Sequence, residues 1–129
     1  MKIQPDRSDK LTITAYSDSW IAVNGLKYPH NLLVNSNGQI LQWKSISFEN
    51  IVPEEWDFLS NIESEILILG SWKRLLAPPQ HLLFKLLQKG IGVENMDTAA
   101  ACRTFNVLAN EGRKVCAILL LPEKLSENH

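Results

Sequence analysis

The chain has 129 residues, 45% of them hydrophobic and 21% charged, with a formal net charge of −1. That length and balance suit one globular domain able to bury about two-thirds of its unfolded surface, and they exclude wholesale disorder and a fibrous fold. A pI near 6.3 lacks the basic excess of a nucleic-acid binder, and the longest apolar run, Val115 to Leu121, falls far short of the roughly 18 residues of a spanning helix.

Met1 to Lys10 alternates charges without an apolar block, so neither a secretory signal nor a transit peptide is expected. The first third reads as β. Leu11 to Tyr16 alternates, with Leu11, Ile13 and Ala15 on one face. A turn at Ser17-Asp18-Ser19 leads to Trp20-Ile21-Ala22-Val23, and Asn24-Gly25 makes a second tight turn. Asn37-Gly38, between Leu32-Leu33-Val34 and Ile40-Leu41-Gln42-Trp43, is expected to close a two-residue hairpin with both turn residues at positive φ. Pro29 cannot donate to a ladder, so its strand is an edge or stops there.

Pro53 to Leu59 predicts a short helix with Pro and acids in its first turn, and Glu65 to Gly70 a strand buried on both faces. Pro78-Pro79 opens a helix with an apolar stripe of Leu82, Leu83, Leu86 and Leu87, ended by Gly90. Ile91 to Asn95 is a short strand, Asp97 caps a helix over Thr98–Asn110, and Val115 to Leu121 is a second buried strand. Right-handed crossovers would make the strands at 65–70, 91–95 and 113–121 parallel, with the N-terminal hairpins adding antiparallel strands. The expectation is a single α/β domain over residues 1–129 with a mixed sheet, an ordered core over about 10–122 and polar tails.

Little here carries chemistry. His30, His81 and His129 are scattered, and no Walker loop, G-x-G-x-x-G, H-E-x-x-H or G-x-S-x-G occurs. Cys102 and Cys116 have no CxxC spacing, so neither a disulfide framework nor a zinc site is expected, and reduced thiols fit a cytoplasmic location. Cys102 stands beside Arg103, a setting that can lower a thiol pKa, yet no His or second Cys supports it as a nucleophile.

One crevice fits a ligand. Sites in open α/β sheets lie beyond the carboxyl ends of parallel strands. Here those ends are Gly70-Ser71-Trp72-Lys73-Arg74 and Met96-Asp97-Thr98, the latter opening a helix whose free N–H groups could face an anion, with Arg74 and Arg103 adding charge. The plainer reading makes Asp97 a cap, Thr98 a first-turn residue, and Arg103 the partner of Glu94 or Asp97.

Charge is segregated as well. Glu49 to Glu65 holds six acids and no Lys or Arg, whereas Lys73 to Lys89 holds four bases and no acid. These runs are either two solvated faces or a bipolar docking surface for another protein, with Trp56 and Trp72 expected as exposed aromatic anchors nearby.

The segment from Gly90 to Arg113, above all Met96 to Phe105, resembles a small α/β family that includes a mitochondrial respiratory complex I assembly factor, an adipogenesis-associated protein and many uncharacterised bacterial members. Leu32-Leu33-Val34, Asn37-Gly38 and Ile66 to Gly70 follow the same family in order, so the resemblance runs from about Thr12 to Leu121. It implies a three-layer fold around a mixed sheet, no established enzymatic activity and, for the mitochondrial relative, an assembly role through protein contacts; no cofactor or metal is expected from the residues. Family members often carry Gly-Thr-Gly after the buried strand; Gly70-Ser71-Trp72 departs from this, and the bulk of Trp72 opposes a phosphate-cradling loop. Without a mitochondrial targeting extension, a bacterial cytoplasmic member is expected. The function so read is a non-enzymatic interaction or assembly factor with an unidentified protein partner. The alternative is a small-anion or small-molecule binder, or an unrecognised enzyme, using Gly70, Ser71, Trp72, Arg74, Asp97, Thr98, Cys102 and Arg103.

Overall fold

Two six-residue strands, β6 (Ile66–Ser71) and β8 (Val115–Leu120), set the architecture. They run parallel, pair from Ile66↔Val115 to Ser71↔Leu120, and are buried along almost their whole length. A strand buried on both faces must lie between two layers, and alternation decides which side chain meets which. Leu67, Leu69, Cys116, Ile118 and Leu120 enter one apolar cluster, while Ile68, Val115, Ala117 and Leu119 enter the other.

The structure, a computed structural model, describes residues 10–45, 47–48, 51–73 and 78–122. The remaining described strands are β1 (Ile13–Tyr16), β2 (Ile21–Val23), β3 (Leu26–Tyr28), β4 (Leu32–Asn35), β5 (Ile40–Gln42) and β7 (Gly92–Met96). The helices are α1 (Pro53–Ser60), α2 (Gln80–Gln88) and α3 (Thr98–Asn110). The main sheet has the order β5-β4-β8-β6-β7, with β7 parallel to β6 and β4 antiparallel to β8. The mixed sheet expected from the sequence is therefore the observed one. Trp56 and Leu59 of α1 and Leu86 of α2 cover one face. Ala101, Cys102 and Phe105 of α3 cover the other, together with Ile13, Ile21 and Val23 of the antiparallel sheet β1-β2-β3. Three layers result.

Local chemistry explains where the expectations shift. The primed two-residue turn belongs to Asn24-Gly25, with φ of +50° and +83°, joining β2 to β3. At the second hairpin Asn35 N–H donates to Gln39 O (2.9 Å) and Gly38 N–H to Asn35 O (2.9 Å). Its loop is thus the three residues Ser36-Asn37-Gly38, with positive φ at Gly38 and not at Asn37. The buried Asn35 carboxamide accepts from Asn37 N–H (3.1 Å), which holds the first turn in an ordinary rather than mirror-image form. Ala15 is exposed because the register between β1 and β2 shifts between Ile13 and Ala15. Pro29 follows the last residue of β3, an edge strand of the small sheet, as its missing N–H requires.

Two expectations about burial are corrected. Trp56 is 5% exposed and packs in the core, because the sheet-facing side of α1 is carried by Trp56 and Leu59, three residues apart. Leu87 is 59% exposed, as is Phe84: only Leu82 and Leu86 turn α2 toward the sheet.

Candidate functional site

Two of the crevice residues, Trp72 and Thr98, meet at one hydroxyl. β6 ends at Ser71, the chain turns at Trp72, and α3 starts at Thr98, which is fully buried. The Trp72 N–H donates to Thr98 Oγ1 at 2.6 Å, and Thr98 Oγ1 donates to the carbonyl of Leu120 at 2.7 Å. The Thr98 N–H donates to the Trp72 carbonyl at 2.7 Å. One threonine thus ties the ends of β6, β8 and α3 together, a role its side chain fills because a hydroxyl both accepts and donates.

Trp72 takes φ of +56°, in the left-handed region that favours glycine. Its backbone is held there by the two bonds to Thr98, and its indole is half-buried, with Lys73 Nζ 5.9 Å from the ring centroid. Trp72 therefore stands at a backbone position that a glycine would fill without strain.

The space under this turn is filled by protein. A Cβ built on Gly70 would meet Ala101 Cβ at 2.8 Å and Thr98 Cα at 3.2 Å, so α3 sits directly against the end of β6. Two of the N–H groups that could have faced an anion, those of Thr98 and Ala100, are engaged as well. Ala100 N–H donates to the Asp97 carboxylate at 2.7 Å, the expected cap, and Thr98 N–H is taken by Trp72.

The other candidates do not join this cluster as reagents. Cys102 packs among Ile68, Ala101 and Phe105, and burial pushes its thiol up to about 12, against the smaller opposing pull of Arg103. Burial also pushes the Cys116 thiol up. Arg103 is exposed, and among the described residues it forms no ion pair with Glu94 or Asp97; the ion pairs there are Arg113–Glu65 (3.2 Å) and Lys114–Glu63 (3.6 Å). Arg74 lies outside the described residues. Among the described residues, no group of three His, Cys, Asp or Glu side chains is placed to hold a metal ion, and no helix is long and apolar enough to cross a membrane.

Sequence reasoning missed the outward face of α2, where Gln80, His81, Leu83, Phe84 and Leu87 line a shallow depression. The signal was available: Phe84 is two positions from both Leu82 and Leu86, so a helix that buries those two turns residue 84 outward.

The family described as "Protein of unknown function (DUF498/DUF598)" matches residues 13–120. A Bos taurus relative named NADH dehydrogenase (ubiquinone) 1 alpha subcomplex assembly factor 3 is 36% identical over 114 residues, 85% of this chain and 60% of its own length. The chain thus spans about 60% of the length of that relative. A Francisella tularensis relative named "13 kDa major membrane protein" is 28% identical over 96 residues, 73% of this chain and 77% of its own. Among solved structures, a Bordetella parapertussis protein shares 32% identity at a TM-score of 0.78, over 88% of this chain and 97% of its own. One from Xanthomonas campestris shares 26% identity at a TM-score of 0.80 over the full length of both. The assembly-factor relatives are those to which the Gly90–Arg113 resemblance pointed, and the chain belongs to the DUF498/DUF598 family.

Proposed function

We propose that this chain is a non-enzymatic interaction protein, an assembly or accessory factor for a multi-subunit complex, with Trp72 as its anchor. The observation that carries this reading is the pairing of conformation and residue at that position. A tryptophan in the left-handed region is strained by about 1–2 kcal/mol relative to glycine, yet the turn is locked by Thr98 and presents the indole half-exposed beside Lys73. A half-exposed tryptophan on a turn held by two hydrogen bonds fits an interface anchor. The names of the assembly-factor relatives support the same class of role. The filled space beneath Gly70 and the engaged N–H groups of Thr98 and Ala100 favour it over an anion site there. The raised Cys102 thiol favours it over thiolate chemistry.

The test is affinity capture of the full chain from its own cells, in parallel with Trp72→Gly. Protein partners enriched by the parent chain and lost by the variant support the reading. Equal capture by both chains, or none by either, would contradict it.

A further inference from the structure

Asn-Gly occurs twice in this chain, at Asn24-Gly25 and at Asn37-Gly38. In such a pair the asparagine carboxamide is open to attack by the next backbone nitrogen, because glycine puts no side chain in the way. Both asparagines are exposed, and both glycine N–H groups are hydrogen-bonded, Gly25 to Thr14 Oγ1 (3.0 Å) and Gly38 to the Asn35 carbonyl (2.9 Å). The carboxamides differ. That of Asn24 is held at both ends by another segment of chain: Oδ1 accepts from the Thr12 N–H (2.8 Å) and Nδ2 donates to the Lys10 carbonyl (3.0 Å). That of Asn37 folds over its own loop. Its Oδ1 accepts from the Gln39 N–H (3.0 Å), two residues on, and among the described residues its Nδ2 has no partner.

We propose that Asn37 is a site of spontaneous deamidation, and that the fold protects Asn24 from the same reaction. A side chain bonded to the N–H two residues on closes over the amide between them, here that of Gly38. Hydroxide removes the Gly38 proton and the nitrogen adds to Asn37 Cγ. The oxyanion then develops on the oxygen that already accepts from the Gln39 N–H, so its charge is stabilised without rearrangement. The Cγ–Nδ2 bond breaks, Nδ2 takes a proton from water and leaves as ammonia, and a succinimide ring remains. Water opens that ring at either carbonyl, giving aspartate or isoaspartate. Each product adds a negative charge to the wall of two depressions that Glu63 also lines, and the isoaspartyl form lengthens the main chain where β4 turns into β5. At Asn24 the same attack requires both side-chain hydrogen bonds to be given up, which slows it by about tenfold or more.

The experiment incubates the full chain at mildly alkaline pH, with and without denaturing urea. Each Asn-Gly is followed by peptide mass spectrometry, and isoaspartate by methyl labelling with a protein isoaspartate methyltransferase. In the folded chain Asn37 is expected to convert from amide to acid about tenfold or more faster than Asn24, with the methyl label in the peptide that holds residue 37. In urea, where the bonds to Thr12 and Lys10 are gone, the two rates should converge. Asn24 converting as fast as Asn37 in the folded chain would overturn the proposal. A preference for Asn37 that persists unchanged in urea would overturn it too, because selectivity would then lie in the sequence and not in the fold. So would an Asn37 that keeps its amide in the folded chain while converting in urea.

Discussion

Ala101 leaves Gly70 no room for a side chain: a Cβ on Gly70 would lie 2.8 Å from that of Ala101. This contact lets α3 press on the end of β6 and sets the depth at which Thr98 reaches the Trp72 turn. Gly70→Ala is expected to destabilise the fold by about 1–3 kcal/mol, the range for overpacking. Adding Ala101→Gly should recover part of that loss, a coupling that denaturant unfolding of the four-member cycle measures. Full additivity would show that the helix moves away without resistance.

Thr98 is the hub of the turn. Thr98→Val keeps the shape but leaves the Trp72 N–H and the Leu120 carbonyl without the partner they have now. Stability should fall by about 2 kcal/mol, while Thr98→Ser should lose much less. Equal losses for the two variants in urea unfolding would assign the effect to packing rather than to the hydroxyl.

The thiols make a pH-dependent prediction. With the Cys102 pKa raised from 9.0 to about 12 by burial, the folded chain holds this proton more tightly than the unfolded one. The resulting stability is complete below 9.0 and is lost as pH rises from there toward about 12. Cys102→Ala should therefore flatten the alkaline fall of unfolding free energy. The parent Cys102 should also alkylate more slowly than free cysteine at neutral pH. Faster alkylation would make Cys102 a reactive thiol and overturn its assignment to the core.

An anion site at the end of the parallel strands predicts something the observed packing does not. Phosphate, nucleotides and dinucleotides at millimolar concentration are expected to leave the melting temperature unchanged. A site filled at about 100 times its Kd would add about 2.7 kcal/mol and a clear upward shift. A shift that disappears in Arg103→Ala would place a ligand where the structure now packs α3.

The order of elements and the central place of β6 and β8 were legible in the sequence, because continuous apolar runs and helix caps depend only on local residues. Asp97, Gly90 and Gly112 end or begin helices where their chemistry says they should. Properties set by long-range packing were not legible. The Asn37-Gly38 loop is decided by the buried Asn35 carboxamide and by the register of β4 against β5. Trp56 goes inward and Phe84 outward because of where α1 and α2 cross the sheet. The part played by Thr98 joins residues 26 and 22 positions apart in the chain, which no local pattern reveals. That the ends of β6 and β8 and the start of α3 meet through the Thr98 hydroxyl is visible only in the fold.

The most direct measurement concerns Trp72. Replacing it by glycine suits the φ of +56°, so unfolding free energy should change by less than about 1 kcal/mol as relieved strain offsets lost packing. Partner binding, measured as Kd against the protein recovered by capture, should weaken by about 2 kcal/mol or more, some thirtyfold. A fold left intact with binding lost is the expected result. A variant that binds its partner as tightly as the parent chain would contradict the role of Trp72 as the anchor.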